Sequence, residues 1–148
     1  MRILLQYRLW AMIGVLVIAG SAAHAQVTTA NVLTRVVAAV ATIEKAKSQI
    51  LFIQIDNLKN GSTDSQTYSL SAGSAYSVIA IGDEQRIQDL DLEVYDENNS
   101  KVGEDSDAQN VAKVTVRPRW SGTFTFAVSA YRMSHQDGFY GIIVYRED

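Results

Sequence analysis

From Gln66 to Tyr145 the chain reads in twos. Gln88–Tyr95 sets Leu90, Leu92 and Val94 on one side and Asp89, Asp91 and Glu93 on the other, the period of a strand with one buried face. Val111–Arg117 repeats this with Ala112, Val114 and Val116, Gly122–Tyr131 with Phe124, Phe126, Val128 and Ala130, and Phe139–Tyr145 with Tyr140, Ile142 and Val144. Thr67–Ser71 and the almost wholly apolar Tyr76–Gly82 precede them. Ala72-Gly73, Asp96–Ser100 and Pro118 punctuate the runs; asparagine at 98 and 99 tolerates left-handed backbone, and proline cannot donate to a ladder. Six or more short strands with no helix between them predict an antiparallel β-sandwich of jelly-roll type.

The beginning of the chain is different. Arg2 and Arg8 precede the apolar run Leu9–Gly20, and Ala23-His24-Ala25 follows. A basic start, a short apolar run and an Ala-x-Ala ending form a secretory signal pattern, with cleavage expected after Ala25. A membrane anchor needs about 20 apolar residues, and Arg8 breaks this run. Residues 1–25 are thus expected to be a signal peptide and residues 26–50 an amphipathic helix. Residues 51–148 are expected to be the β-domain. In the helix, Val32, Val36, Val40, Ile43, Lys47 and Ile50 recur at three- and four-residue spacing, with Leu33, Val37 and Ala41 widening the stripe. Such a stripe must pack on the β-domain, on a partner or on a second copy. The run Ile50–Ile55 suits the last helical turns or a first strand equally, and Asn60–Ser65 reads as a loop.

Composition removes several kinds of chemistry. With no cysteine there is no disulfide framework, zinc-thiolate site or cysteine nucleophile. Loss of the leader leaves eleven Lys and Arg against sixteen Asp and Glu, a net charge of −5. The acids concentrate between Asp83 and Asp107, so nucleic acid finds no basic stripe. No phosphate-binding loop or dinucleotide fingerprint is present; Gly103, Gly122, Gly138 and Gly141 read as strand-end or turn glycines.

One sequence pattern spans about half the chain. Ala72-Gly73 and Tyr76 are followed by Gly82-Asp83, then Asp89-Leu90-Asp91-Leu92-Glu93-Val94-Tyr95-Asp96. Asp105, Val114, the group Pro118, Trp120, Gly122, Thr123 and Phe124, and finally Gly138, Tyr140 and Ile142 complete it. In order and spacing the run, within about residues 66–146, resembles the bacterial pre-peptidase C-terminal domain. That resemblance implies a jelly-roll sandwich on an exported protein, without catalytic residues of its own. It also implies that some relatives bind calcium or an extracellular polymer. The usual neighbouring hydrolase domain is absent from this sequence, where a helix stands instead.

Candidate sites follow from residue type and spacing. Asp89, Asp91 and Glu93 share one strand face, and Asp96, Asp105 and Asp107 can fold back across the turn. Calcium takes six to eight oxygen ligands, so Asp89, Asp91, Asp96, Asp105 and Asp107 are candidate metal ligands; the alternative is a solvated acidic edge. A helix–loop–helix calcium site over Asp96–Asp107 is excluded, because Lys101 stands where glycine is needed and strands flank the loop. Ser134, His135 and Asp137 sit together in a loop, but a relay needs convergence in space rather than in sequence. Trp120 and Tyr131 are candidate ligand contacts, since exposed aromatics stack on sugars and anchor peptides; Phe139 and Tyr145 are further outward-facing aromatics.

Together these features predict a mainly β protein with an N-terminal helix, periplasmic or secreted. It would act as a non-enzymatic binding or accessory module with no cofactor unless calcium. Its partner would be an extracellular or periplasmic protein or a polysaccharide, and no membrane span is expected after signal removal. The alternatives are a structural homo-oligomer joined through the helix and a small hydrolase using the acidic face.

Overall fold

A computed structural model describes the backbone of residues 18–147 and the side chains of residues 29–147. The leader expected over residues 1–25 falls mostly outside the described residues. One helix, α1 (Ile18–Lys45), precedes eight strands: β1 (Gln49–Lys59), β2 (Thr63–Leu70), β3 (Ala75–Gly82), β4 (Ile87–Tyr95), β5 (Lys101–Asp105), β6 (Val111–Val116), β7 (Gly122–Met133) and β8 (Asp137–Glu147). One sheet has the order β1-β8-β3-β6 and the other β2-β7-β4-β5. All the strand pairings are antiparallel. Only the β4–β5 hairpin stays within a sheet; every other connection crosses between the layers, as in an eight-stranded jelly roll.

The alternating residues meet in the middle. Val78, Ala80, Val114, Ile142 and Val144 of the first sheet pack with Leu90, Leu92, Val94, Phe126 and Val128 of the second, all at most 4% exposed. At the β1–β2 edge the rings of Phe52 and Tyr68 lie 6.0 Å apart. Nearby, the Tyr140 hydroxyl donates to Asp64 Oδ2 at 2.6 Å, tying β8 to the opposite sheet. Burial, with Asp64 next, raises the pKa of that phenol.

The first sheet is covered on its outer face as well. Val32, Val36 and Ile43 of α1 are buried against Ile81, Ile143 and Tyr145. At roughly 1.5–3 kcal/mol for each large apolar side chain, this layer adds several kcal/mol before entropy is counted. β8 therefore runs buried from Tyr140 through Tyr145, both faces covered. The inward set Tyr140, Ile142 and Val144 is as the alternation predicts, while Tyr145, expected outward, faces outward and lies under the helix. Arg35, on the flank of the stripe, donates from Nη1 to the Gly82 carbonyl and from Nη2 to Asn110 Oδ1 at 3.1 Å. The stripe thus packs on the protein's own β-domain, and the large apolar side chains of the helix that stay exposed are Leu33 and Val37.

Three boundaries differ from the expectation. The helix ends at Lys45, not near residue 50, and Gln49 already begins β1. The cause is a left-handed Lys47, at φ 62°. The Lys47 N–H returns to the Glu44 carbonyl and the Ser48 N–H to the Ile43 carbonyl, which closes the last turn. The expected loop Asn60–Ser65 shrinks to a tight turn, since β2 begins at Thr63. Finally, β5 is a strand that the alternation does not predict. Gly141, expected at a strand end or turn, lies inside β8 where α1 crosses it, and a methyl there would collide with Val36 Cγ2.

Candidate ligand pocket

The β6–β7 connection builds one end of the sandwich. Pro118 is buried, and its carbonyl accepts the Gly73 N–H at 3.3 Å; Ser121 Oγ accepts the Ala72 N–H at 2.9 Å. These bonds pin the loop to the β2–β3 turn. With Pro118 fixed inward, Arg117 and Arg119 on either side of it are exposed, and Trp120 follows at 43% exposure. The four residues, with Asp96, Val102 and Phe124, line a cavity of about 310 Å³.

Its electrostatics come from what is left unspent. Neither Arg117 nor Arg119 has a hydrogen-bond or ion-pair partner among the described residues, and the Trp120 indole N–H likewise finds no acceptor. Asp96, the carboxylate in the lining, is buried and faces its own turn. Its Oδ1 accepts the N–H groups of Asn98 and Ser100, both at 2.9 Å, while Asn99 takes φ 56°. Two free guanidinium groups beside an exposed indole and an apolar floor can receive an anion that carries a flat or apolar body.

A larger groove, about 560 Å³, opens between α1 and the first sheet over Ile79 and Tyr145. Its two charged groups are spent on each other: Lys113 Nζ lies 3.9 Å from Glu147 Oε1 and 5.7 Å from the Tyr145 ring centre. The small pocket is therefore the better-equipped site.

The other candidates fall in different places. Tyr131 is 80% exposed, but it stands at a bulge where Arg132 opposes Asp89 and Ala130 opposes Leu90. That is the far end of β7, roughly 30 Å of strand away from Trp120. Asp89, Asp91, Asp105 and Asp107 share one neighbourhood, and Asp96 lies seven residues along β4 from Asp89, roughly 23 Å. Asp105 spends Oδ1 on the Asp107 N–H and Oδ2 on the Lys113 N–H. Asp89 is buried with Oδ1 unpartnered. Among the described residues no group of three or more His, Cys, Asp or Glu side chains is arranged to hold a metal ion.

Their crowding nevertheless has an energetic cost. Burial first, then the charges of Asp89, Glu93, Asp105 and Asp107, raise the pKa of Asp91. A carboxyl whose folded pKa is raised weakens the fold at pH values above it. The cost fades as pH falls through the folded value to the unfolded one. Asp91→Asn is therefore expected to gain about 0.5 kcal/mol at pH 7 after solvent screening, with the gain vanishing near pH 3. Urea unfolding at the two pH values measures this, and equal stability at pH 7 would show the crowding to be harmless. Further along the face, Lys101 sits between Glu104 and Glu93, which raise its pKa.

The Ser134, His135 and Asp137 side chains do not form a relay. Ser134 Oγ and His135 Nδ1 are 2.9 Å apart, but Asp137 Oδ1 accepts from Arg86 at 2.9 Å instead. One residue missed by sequence reading is Asp83, fully buried at the end of β3, whose Oδ1 accepts the Gln85 N–H. Its place after Gly82 at a strand end was the available signal.

Comparison with known proteins defines the fold. No protein-family model matches the chain, and no curated protein sequence matches it. Among solved structures it is similar to the pre-peptidase C-terminal domain of a collagenase from Bacillus anthracis. That match has 14% identity over 63% of this chain and 87% of that one, with a TM-score of 0.51. Aeromonas hydrophila PliG, a periplasmic inhibitor of g-type lysozyme, matches with 15% identity over 67% and 87%, TM-score 0.50. The Yersinia pseudotuberculosis-derived mitogen matches with 8% identity over 66% and 85%, TM-score 0.51. The resemblance to the pre-peptidase C-terminal domain thus extends to the three-dimensional fold. Among the described residues no helix is long and apolar enough to cross a membrane.

Proposed function

We propose that this chain is a non-enzymatic, exported binding module and that the Trp120 pocket receives its ligand. The observation that carries this reading is the exposed indole at a pinned loop, in a pocket lined also by two arginines without partners among the described residues. The leader pattern over residues 1–25 supports export. Two structures of similar fold support a binding role: an accessory domain of a collagenase and a periplasmic inhibitor of an enzyme. The ligand-contact role of Trp120 belongs to this proposal, and Tyr131 stands outside it.

The test pairs wild type with Trp120→Ala in a screen of soluble glycans and peptides. An aromatic anchor is worth about 2 kcal/mol or more, so any ligand of this pocket is expected to bind the variant at least about tenfold more weakly. The melting temperature should change little, because the side chain is partly exposed. Ligands bound equally by both proteins would move the site elsewhere.

A second reading is an oligomer assembled along α1. Leu33 at 50% exposure and Val37 at 58%, with Ile53 of β1 at 44%, favour it, since Val32, Val36 and Ile43 of the stripe are already covered. Light scattering at high protein concentration separates the two readings, and a monomer ends the second.

A further inference from the structure

Resting on that pocket, we infer that the ligand is an acidic saccharide, held by its carboxylate on Arg117 and Arg119 and by a ring face on Trp120. The charge of the pocket runs against that of the chain, which carries sixteen Asp and Glu against thirteen Lys and Arg. Some basic groups on this surface are taken by acids, although among the described arginines only Arg86 forms an ion pair, and Arg132 and Arg146 are without one as well. Glu93 and Glu104 share Lys101, and Asp137 takes Arg86. Arg117 and Arg119 form no ion pair with Asp96, the carboxylate in their pocket, whose Oδ1 accepts the N–H groups of Asn98 and Ser100. A guanidinium fork matches a carboxylate bidentately, and two forks in one pocket with an aromatic side chain suit an anion attached to a ring.

The same geometry disfavours a peptide held by its main chain. Strand addition needs a row of free backbone N–H and C=O groups. Here Pro118 has no N–H, and its carbonyl is taken by Gly73. Recognition is left to planar side chains: the two guanidinium groups and the indole, whose face suits the apolar C–H face of a sugar ring. A volume of about 310 Å³ lies at the lower end of ligand pockets and suits a ring or two of a longer chain lying across an open mouth.

The experiment is affinity electrophoresis of the full chain through gels holding polygalacturonate, fully methyl-esterified polygalacturonate, or neither. A peptide with a free C-terminal carboxylate serves as a soluble competitor. Wild type is expected to be retarded by polygalacturonate only, with retardation reduced at least about tenfold by Trp120→Ala and by the double variant Arg117→Gln/Arg119→Gln. Their melting curves should stay close to wild type, and raised salt should weaken binding. Equal retardation by the esterified polymer, lost in Trp120→Ala but not in the arginine variant, would overturn the acidic ligand while keeping the pocket. Retardation untouched by Trp120→Ala would overturn the pocket itself. Displacement by the peptide, or no retardation in either gel, would overturn the saccharide.

Discussion

Leu92→Asp is expected to yield no folded protein. Leu92 is 0% exposed in the middle of β4, between two paired strands and under the opposite sheet. An ionised carboxylate there has no partner, and the cost of burying it is of the same order as the whole stability of a domain, about 5–15 kcal/mol. Circular dichroism and thermal melting should show no cooperative transition. The neighbouring Glu93, on the solvent side of the same strand, is the natural control, and Glu93→Gln should melt almost as wild type does. A soluble, cooperatively melting Leu92→Asp protein would mean that β4 does not present this residue to the core.

Gly141→Val is the second large effect, and it acts through the helix. The valine Cβ would enter the space of Val36 Cγ2, with Val32 Cγ1 at 3.6 Å behind it. Overpacking alone costs about 1–3 kcal/mol. Lifting α1 to relieve it also exposes Val32, Val36 and Ile43, so a total loss of about 3 kcal/mol or more is expected in chemical denaturation. Combining Gly141→Val with Val36→Ala should recover part of the loss, because the two side chains compete for one volume. If the double variant is as unstable as the sum of its parts, helix and strand are not in contact at this point.

Much of this architecture was legible in the chain because alternation is a physical requirement of a half-buried strand. Leu90, Leu92 and Val94, and likewise Phe124, Phe126 and Val128, had to face one way, and they do. The failures have equally physical causes. β5 offers Lys101, Val102, Gly103, Glu104 and Asp105, an edge strand fixed by its hairpin with β4 rather than by apolar burial. The helix end depends on a lysine in a left-handed conformation, which leaves no mark in composition. Ile143 and Tyr145 look like outward residues until the helix is placed on top of them. Trp120 was visible as an aromatic at a turn, but the freedom of Arg117 and Arg119 was not. It depends on the placement of residues distant in sequence, Asp96 among them, which shares the pocket while its Oδ1 bonds its own turn.

The pairing of β1 with β8 joins nearly the two ends of the domain: Gln49 stands opposite Arg146, and Lys59 opposite Asp137. β8 also supplies the neighbour of β3 and the floor beneath α1. β1 and α1 thus depend on a strand about 80 or more residues further along the chain, and contacts of such long sequence separation form slowly. Without β8 the first sheet keeps only the β3–β6 pair, β1 has no neighbour and α1 loses its floor.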